Sequence, residues 1–166
     1  KKIHQIIGDI NIFQDLKKTF NDFQPEIVFH LAAQPLVRES YREPLYTMMT
    51  NCMGTVHVLE MIRNSDFVKW AVLITTDKVY KNWEFCRPFQ EHDELGWNDP
   101  YSASKAMAEL AIHSYITSFL QKNKKIVIWR AGNIIWWGDW SADRIMTDVV
   151  NGLYKNDKII LRNPSA

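Results

Sequence analysis

Three short, continuous apolar runs, each followed further along by a longer stretch of helical spacing, set the limits on what this chain of 166 residues can fold into. The runs are Ile27 to Ala33, Trp70 to Ile74 and Ile126 to Trp129. None alternates polar with apolar residues, so each reads as a parallel strand buried on both faces rather than a half-solvated one. Between and around them the period changes to that of helices. Phe13, Leu16, Phe20 and Phe23 share one helical face, and Pro25 ends that helix. Pro44 to about Arg63 has Leu45, Met48, Met49, Cys52, Val56, Leu59 and Ile62 as its expected inner face. A long helix is expected from about Ser102 to Leu120, and a last one from about Ile145 to Tyr154, leading to a short strand at Ile159 to Leu161. Strands alternating with helices imply right-handed crossovers and an α/β fold, a doubly wound parallel sheet with helices on both faces. The length suits one domain over residues 1–166. In such sheets ligands bind beyond the carboxyl ends of the strands, so the chemistry should follow directly after each apolar run.

Bulk properties narrow the function by exclusion. A net charge of +1 gives no field to recruit nucleic acid or an anionic membrane. No apolar run approaches the roughly 20 residues of a membrane span. The start, Lys1-Lys2-Ile3-His4, carries no signal-peptide core, so a soluble, cytoplasmic protein is expected. Cys52 and Cys86 suggest no disulfide framework, and Cys52 reads as a buried thiol. The histidines lack metal-ligand spacing, so no metal site is expected. Lys122, Lys124 and Lys125 read as a solvated turn after a helix. Glycine is scarce, six residues against seven tryptophans, and that imbalance becomes important below.

After the run ending at Ile74 comes Thr75-Thr76-Asp77-Lys78. After Asn98-Asp99-Pro100 comes Tyr101-Ser102-Ala103-Ser104-Lys105, at the start of the long helix. Four residues apart, Tyr101 and Lys105 lie on one helix face. A lysine ammonium held there favours the phenolate and lowers the tyrosine pKa from its ordinary value of about 10. Such a tyrosine can take a proton from a sugar hydroxyl while hydride leaves for a nicotinamide. A lone YxxxK is a weak signal, whose plain alternative is an exposed helix start. The hydroxyl-bearing strand end upstream, the Asp-Pro turn and the strand after the helix are what strengthen it.

With that context the chain resembles the extended short-chain dehydrogenase/reductase family, whose Rossmann-like domain works with a Ser/Thr, Tyr and Lys acting together. The resemblance implies that Thr76 hydrogen-bonds the reacting hydroxyl, Tyr101 is the acid/base, and Lys105 supports Tyr101 and the nicotinamide ribose. Other segments match in order. Ile7-Gly8-Asp9-Ile10 resembles the turn whose aspartate contacts adenine, and His30-Leu31-Ala32-Ala33-Gln34 the HxAA segment along the cofactor. Thr50-Asn51-Cys52-Met53-Gly54-Thr55 resembles the TNxxGT helix behind the active site. The cofactor implied is NAD, with Asp9, Ile10, Leu31, Ala32, Ala33, Gln34, Asn51, Thr75, Tyr101 and Lys105 as its expected contacts. Each segment also has a plain structural reading: a turn, a buried strand end, a helix packed closely through Gly54.

Thr76-Asp77-Lys78 resembles the Thr-Asp-Glu signature of nucleotide-sugar 4,6-dehydratases, and Asp-Lys at this point looks like the branch acting on CDP-glucose. Ala33-Gln34-Pro35-Leu36-Val37-Arg38, Arg130-Ala131-Gly132-Asn133, Gly138-Asp139-Trp140 and Arg162-Asn163-Pro164 resemble the same branch, so the likeness covers nearly the whole chain. It implies oxidation at C4 of the glucosyl unit with Tyr101, giving a 4-keto sugar and NADH. Loss of water across C5 and C6 follows, with Asp77 protonating the leaving hydroxyl, and reduction at C6 completes a 4-keto-6-deoxy product. The charge on Lys78 would keep Asp77 ionised, and whether Lys78 removes the C5 proton stays open, because that needs a strongly lowered pKa. Thr76, Asn133, Asp139 and Arg144 are the expected substrate contacts, with Asp139 and Arg144 also readable as an exposed pair. Relatives commonly dimerise through helices matching Met48 to Ile62 and Ala106 to Leu120, and the apolar faces of those stretches permit a homodimer here.

Two departures qualify this. No GxxGxxG precedes Gly8-Asp9, the sequence stops at Ala166, and a sheet without its first strands is expected to expose an edge and apolar faces and to hold the cofactor weakly. Trp136 and Trp137 stand where related chains have glycines, and Trp97 replaces another. Glycine allows positive φ and close ligand approach. The rings reshape the pocket, block it, cover apolar surface, or mark a chain that keeps the fold without turnover. A sugar-nucleotide epimerase or reductase of the same superfamily, or a catalytically inactive fragment, are the other readings.

Overall fold

The computed structural model describes residues 3–82, 86–96, 98–120, 124–134, 138–141 and 144–161. Trp97, Trp136, Trp137, Lys122 and the Arg162-Asn163-Pro164 phrase lie outside the described residues. The chain divides into two compact units, Lys1–Gly132 and Asn133–Ala166.

The first unit holds a three-stranded parallel sheet in the order β1 (Ile27–His30), β2 (Trp70–Ile74), β3 (Lys125–Trp129). Val28 pairs with Ala71 and Ala71 with Ile126, so each residue level crosses the sheet in line. Helix α1 (Phe13–Phe23) precedes β1 and ends where Gln24 takes a left-handed φ of 44°, its N–H closing on Phe20 O at 2.9 Å. Between β1 and β2 run α2 (Val37–Arg42), α3 (Pro44–Met48), a π-helical turn (Met49–Met53) and α4 (Gly54–Asn64). Between β2 and β3 runs α5 (Pro100–Tyr115), extended by a second π-helical turn to Leu120. Phe20, Val58, Leu59, Ile62, Ala71, Leu73, Ile112 and Leu120 form the core, so α1, α4 and α5 cover one sheet face. On the other face Ile27, Phe29, Trp70, Val127 and Trp129 are all exposed.

The inner face of the Pro44–Asn64 stretch differs from the apolar stripe that spacing suggests. Leu45 and Met49 are exposed, whereas Thr47, Thr50, Asn51 and Thr55 are buried beside Leu59 and Ile62. Phe23 is exposed as well. Hydrophobicity assigns Leu45 and Met49 inward, but the hydrogen-bond network described below needs the polar side chains there, because an unpaired buried polar group is costly. Lys124 is likewise no solvated residue: its ammonium caps the end of α4 on the carbonyls of Ile62 and Ser65, where a cation meets the negative pole of the helix. Lys125 lies over the Trp70 ring, 4.6 Å from its centroid.

In the second unit α6 (Ile145–Lys155) ends at Asn156, and the chain turns back so that Asp157 N–H donates to Gly152 O at 2.8 Å. A Cβ at Gly152 would meet Ile159 Cγ1 at 2.9 Å, which is why glycine fits there. Ile159 to Leu161 form no strand; they pair with no other strand among the described residues.

Candidate active site

Asp99 starts α5 by capping it. Its Oδ1 accepts from Ser102 N–H at 2.9 Å and its Oδ2 from the Ser102 hydroxyl at 2.6 Å, with Pro100 already in the first turn. The Asp-Pro turn therefore fixes where the helix begins, and with it the places of Tyr101 and Lys105 on one face. A further pin comes from α2, where the Ser40 hydroxyl accepts the Tyr101 N–H at 3.1 Å. Both Tyr101 and Lys105 are buried. Lys105 Nζ donates to Ile74 O at the end of β2, at 3.3 Å. Burial pulls the Lys105 ammonium down to about 8, against the opposing pull of the Glu109 charge.

The end of β2 carries the other candidate groups. Thr75 N–H donates to Trp129 O at 2.9 Å and Asp77 N–H to Ala131 O at 3.0 Å, so β3 continues to guide the backbone past the last strand pair. The Thr76 hydroxyl donates to Asp77 Oδ1 at 3.2 Å, and Lys78 Nζ reaches the same oxygen at 3.4 Å. Asp77 and Lys78 line an open groove of about 420 Å³ with Val37, Tyr80, Asn82, Phe89, Asp99 and Ser102. Across it Tyr80 and Phe89 stack with centroids 4.7 Å apart.

A second groove of about 540 Å³ is lined by Gly8, Asp9, Ile10 and Ala32 together with α1 residues such as Asp15 and Lys18. Three expected cofactor contacts, Asp9, Ile10 and Ala32, thus share one depression. The turn is held from behind: Ile10 O faces His57 Nδ1 at 2.9 Å, and Asn11 Nδ2 donates to Thr50 Oγ1 at 3.1 Å. A Cβ on Gly54 would meet Ile10 Cγ2 at 2.9 Å, which accounts for the glycine in that helix. Leu31 is exposed and Ala33 half-buried.

Gln34 and Asn51 sit deeper than ligand contacts usually do. Asn51, 1% exposed, accepts from Gln34 N–H at 2.8 Å and spends both amide hydrogens on Gln34 O and Ser104 Oγ. The Gln34 side chain is held by Thr47 Oγ1 and by Leu36. These two side chains therefore tie the β1 end, the Pro44–Asn64 stretch and α5 together. The Thr75 hydroxyl is committed as well, to Glu109 Oε1 at 2.6 Å.

His30, at the end of β1, is buried with Nε2 2.9 Å from Thr55 Oγ1. Thr55 spends its one hydrogen on Asn51 O, so His30 donates from Nε2 and is the Nε2–H tautomer. Burial, then the Lys105 charge, lowers its pKa from 6.5 to about 4. The unfolded chain binds that proton between these values and the folded chain does not, so this part of the stability is complete above about pH 6.5 and drains as pH falls through 4. The shift corresponds to roughly 3 kcal/mol at most. Urea denaturation at falling pH is expected to show this loss, and His30→Gln to flatten it; an equal acid-side loss in the variant would assign it to other groups.

In the second unit Arg144 Nε lies 3.6 Å from Asp139 Oδ2, an ion pair longer than a hydrogen bond. Ser141, then Arg144, hold the Asp139 carboxyl below its usual range. Gly138 has the positive φ, 94°, that its glycine permits. Asn133 begins this unit. Among the described residues no cluster of three or more His, Cys, Asp or Glu could hold a metal, and no helix is long and apolar enough to cross a membrane. Sequence reasoning passed over Ser40, Ser104, Glu109 and Arg130 as site residues. Glu109 left a signal in standing four residues beyond Lys105 on the same face, and Arg130 in opening the Arg130-Ala131-Gly132-Asn133 phrase.

Comparison with known proteins places these features in a family. The family described as GDP-mannose 4,6 dehydratase matches residues 1–127. A CDP-glucose 4,6-dehydratase of Salmonella typhimurium is 44% identical over 164 residues, covering 95% of this chain and 46% of that protein. Among solved structures, UDP-glucose 4-epimerase of Thermotoga maritima with UDP-glucose aligns at TM-score 0.81 and 22% identity, over 91% of this chain and 48% of that one. dTDP-glucose 4,6-dehydratase of Bacillus anthracis in complex with NAD aligns at TM-score 0.75 and 23% identity, over 93% and 45%. At those identities the structural likeness is one of fold. The chain spans about half the length of these relatives.

Proposed function

Because the chain belongs to the GDP-mannose 4,6 dehydratase family, we propose that it is the acid–base part of an NAD-dependent nucleotide-sugar 4,6-dehydratase whose substrate is CDP-glucose. The observation that carries this is Asp77, which stands on an open groove one residue beyond Thr76, while Tyr101 and Lys105 lie buried at the neighbouring helix start. The residues present also fit the cofactor: the Gly8–Ile10 turn and Ala32 line one groove, with an exposed carboxylate at Asp9 able to accept from an adenosine N–H or O–H. NAD, when bound, supplies the transient oxidation at C4 and the matching reduction at C6.

The chain's own residues move the protons. Tyr101 accepts the proton of the 4-hydroxyl, and the Lys105 ammonium supports the phenolate. The Thr76 hydroxyl, which donates to Asp77 Oδ1 in the free site, turns its one hydrogen to the same sugar oxygen when the sugar is bound. A ketone at C4 acidifies C5, and Asp77 protonates the departing 6-hydroxyl. Protons leave the 4-hydroxyl and C5; one departs in the water and one returns to C5, so the net change is loss of water. Lys78 Nζ lies 3.4 Å from Asp77 Oδ1; passing its proton to that carboxylate gives Asp77 the proton that the 6-hydroxyl needs and leaves a free amine to receive the C5 proton. Asn133, Asp139 and Arg144 enter the proposal as substrate contacts on their motifs alone.

The intact protein that carries this chain is expected to convert CDP-glucose to a 4-keto-6-deoxy sugar faster than it converts dTDP- or UDP-glucose. Isomerisation of the sugar without loss of water would refute the dehydratase reading; preference for another base would refute only the CDP assignment. A cytoplasmic homodimer is part of the same proposal, supported by the exposed Met53, Met107, Leu110 and Phe119 on the two helical stretches. Sedimentation of the same preparation at a monomer mass would remove the dimer.

A further inference from the structure

Behind the reacting groups lies a buried ion pair that no proton transfer described above uses. Glu109 is completely buried on α5, one turn beyond Lys105 and two beyond Tyr101. Its carboxylate receives Arg130 Nε at 2.9 Å on both oxygens, Arg130 Nη2 at 2.5 Å and the Thr75 hydroxyl at 2.6 Å. Arg130 follows β3, Thr75 follows β2, and Glu109 belongs to the helix that carries Tyr101, so one carboxylate joins all three parts. Arg130 reaches further: Nη1 donates to Glu91 O at 2.8 Å, and the guanidinium lies over the Tyr80 ring, 4.7 Å from its centroid. Tyr80 in turn lines the groove of Asp77 and stacks on Phe89.

A pair this deep is weak evidence of a stabilising role, because removing two charges from water costs about as much as their attraction returns. Its placement suggests a different use. We propose that Glu109 is a positioning residue for Lys105: held by Arg130 and Thr75, its carboxylate keeps the buried lysine charged and fixes the β2 end against the face of α5 that bears Tyr101. Among the described residues, the charged and titratable groups shown to interact with Lys105 are His30 from β1, neutral at ordinary pH, and Glu109 from α5. Tyr101 shares its helix face four residues earlier, and behind Glu109, from the end of β3, comes Arg130. Burial alone pulls the ammonium towards neutrality, and Glu109 is the opposing influence.

The consequence for rate rests on the dehydratase reading, but the charge on Lys105 can be followed without it. In the intact protein carrying labelled lysine, the Lys105 carbon resonance next to the ammonium is titrated by NMR. Wild type is expected to titrate near 8. Glu109→Gln should move the midpoint down by about one pH unit or more, and Arg130→Gln should move it up, since the carboxylate then acts on Lys105 undiluted. Opposite shifts from two substitutions that break the same pair cannot come from loosened packing, which would move both the same way. Shifts of one sign, or none in either variant, would overturn the proposal. If the Glu109 variant does not fold, the Arg130 variant decides alone, by a rise or its absence. In turnover, the alkaline limb of the pH profile should move with the NMR midpoint. Shifted midpoints without activity in wild type would refute the dehydratase reading and leave this inference standing.

Discussion

Replacing Tyr101 with phenylalanine is expected to lower dehydration of the nucleotide sugar by about 10²- to 10⁴-fold, the range that a positioned acid–base group contributes. The substitution removes one oxygen and keeps the ring. The backbone pin to the Ser40 hydroxyl and the Asp99 cap involve no atom of the phenol, so the helix start should hold its place. An unchanged melting curve with a collapsed rate is therefore the expected pair of results. A rate near that of wild type would remove Tyr101 from the chemistry and leave YxxxK as a helix start and no more. A collapsed rate with a melting point many degrees lower would show instead that the phenol has a structural role at its buried position.

The sequence made the skeleton legible because parallel strands have few ways to be written. Ile27–His30, Trp70–Ile74 and Lys125–Trp129 fall on the apolar runs, and Phe13–Phe23 on its helical period. What stayed hidden shares one cause: apolar periodicity carries no information about buried polar side chains. Thr47, Asn51 and Thr55 face inward because they bind Gln34, Ser104 and His30, partners 13 to 53 residues away in the chain. No local pattern announces such pairs. Helix α2 was missed for a similar reason, since six residues are too few to show a period and its value lies in Ser40 reaching Tyr101. The strand expected at Ile159–Leu161 is the converse error. A short β-branched run looks like a strand in isolation, but a strand exists only when it has a partner, and no strand pairs with it among the described residues. The candidate site was legible where a motif fixes spacing, as in Thr76-Asp77 and Tyr101–Lys105. It was not legible where function depends on an ion pair such as Glu109 with Arg130, assembled from a helix and a strand end 21 residues apart.

Asp77→Asn should separate the two halves of the reaction. The variant keeps the shape of the side chain and can still meet the Thr76 hydroxyl, now 3.2 Å away, but the amide has no acidic proton to give the departing 6-hydroxyl. On the proposed roles, oxidation at C4 falls to Tyr101, Lys105 and Thr76, so it should persist. Formation of the 4-keto-6-deoxy product should drop by about 10²-fold or more. A mixture of the variant with CDP-glucose is then expected to show the absorbance of reduced nicotinamide building up with little dehydrated sugar, where wild type shows product and little build-up. Losing both signals together would mean that Asp77 is needed to bind the sugar or to hold Thr76, and the acid role would pass elsewhere. Keeping full product formation would place the acid on another residue of the groove. The same experiment also weighs the epimerase alternative. An enzyme that merely inverts C4 needs no proton donor for C6, so substitution of Asp77 should then leave isomerisation intact. On the proposed roles Asp77, which lines the open groove, is the residue whose substitution should tell the two chemistries apart, because only loss of water calls for a proton donor at C6.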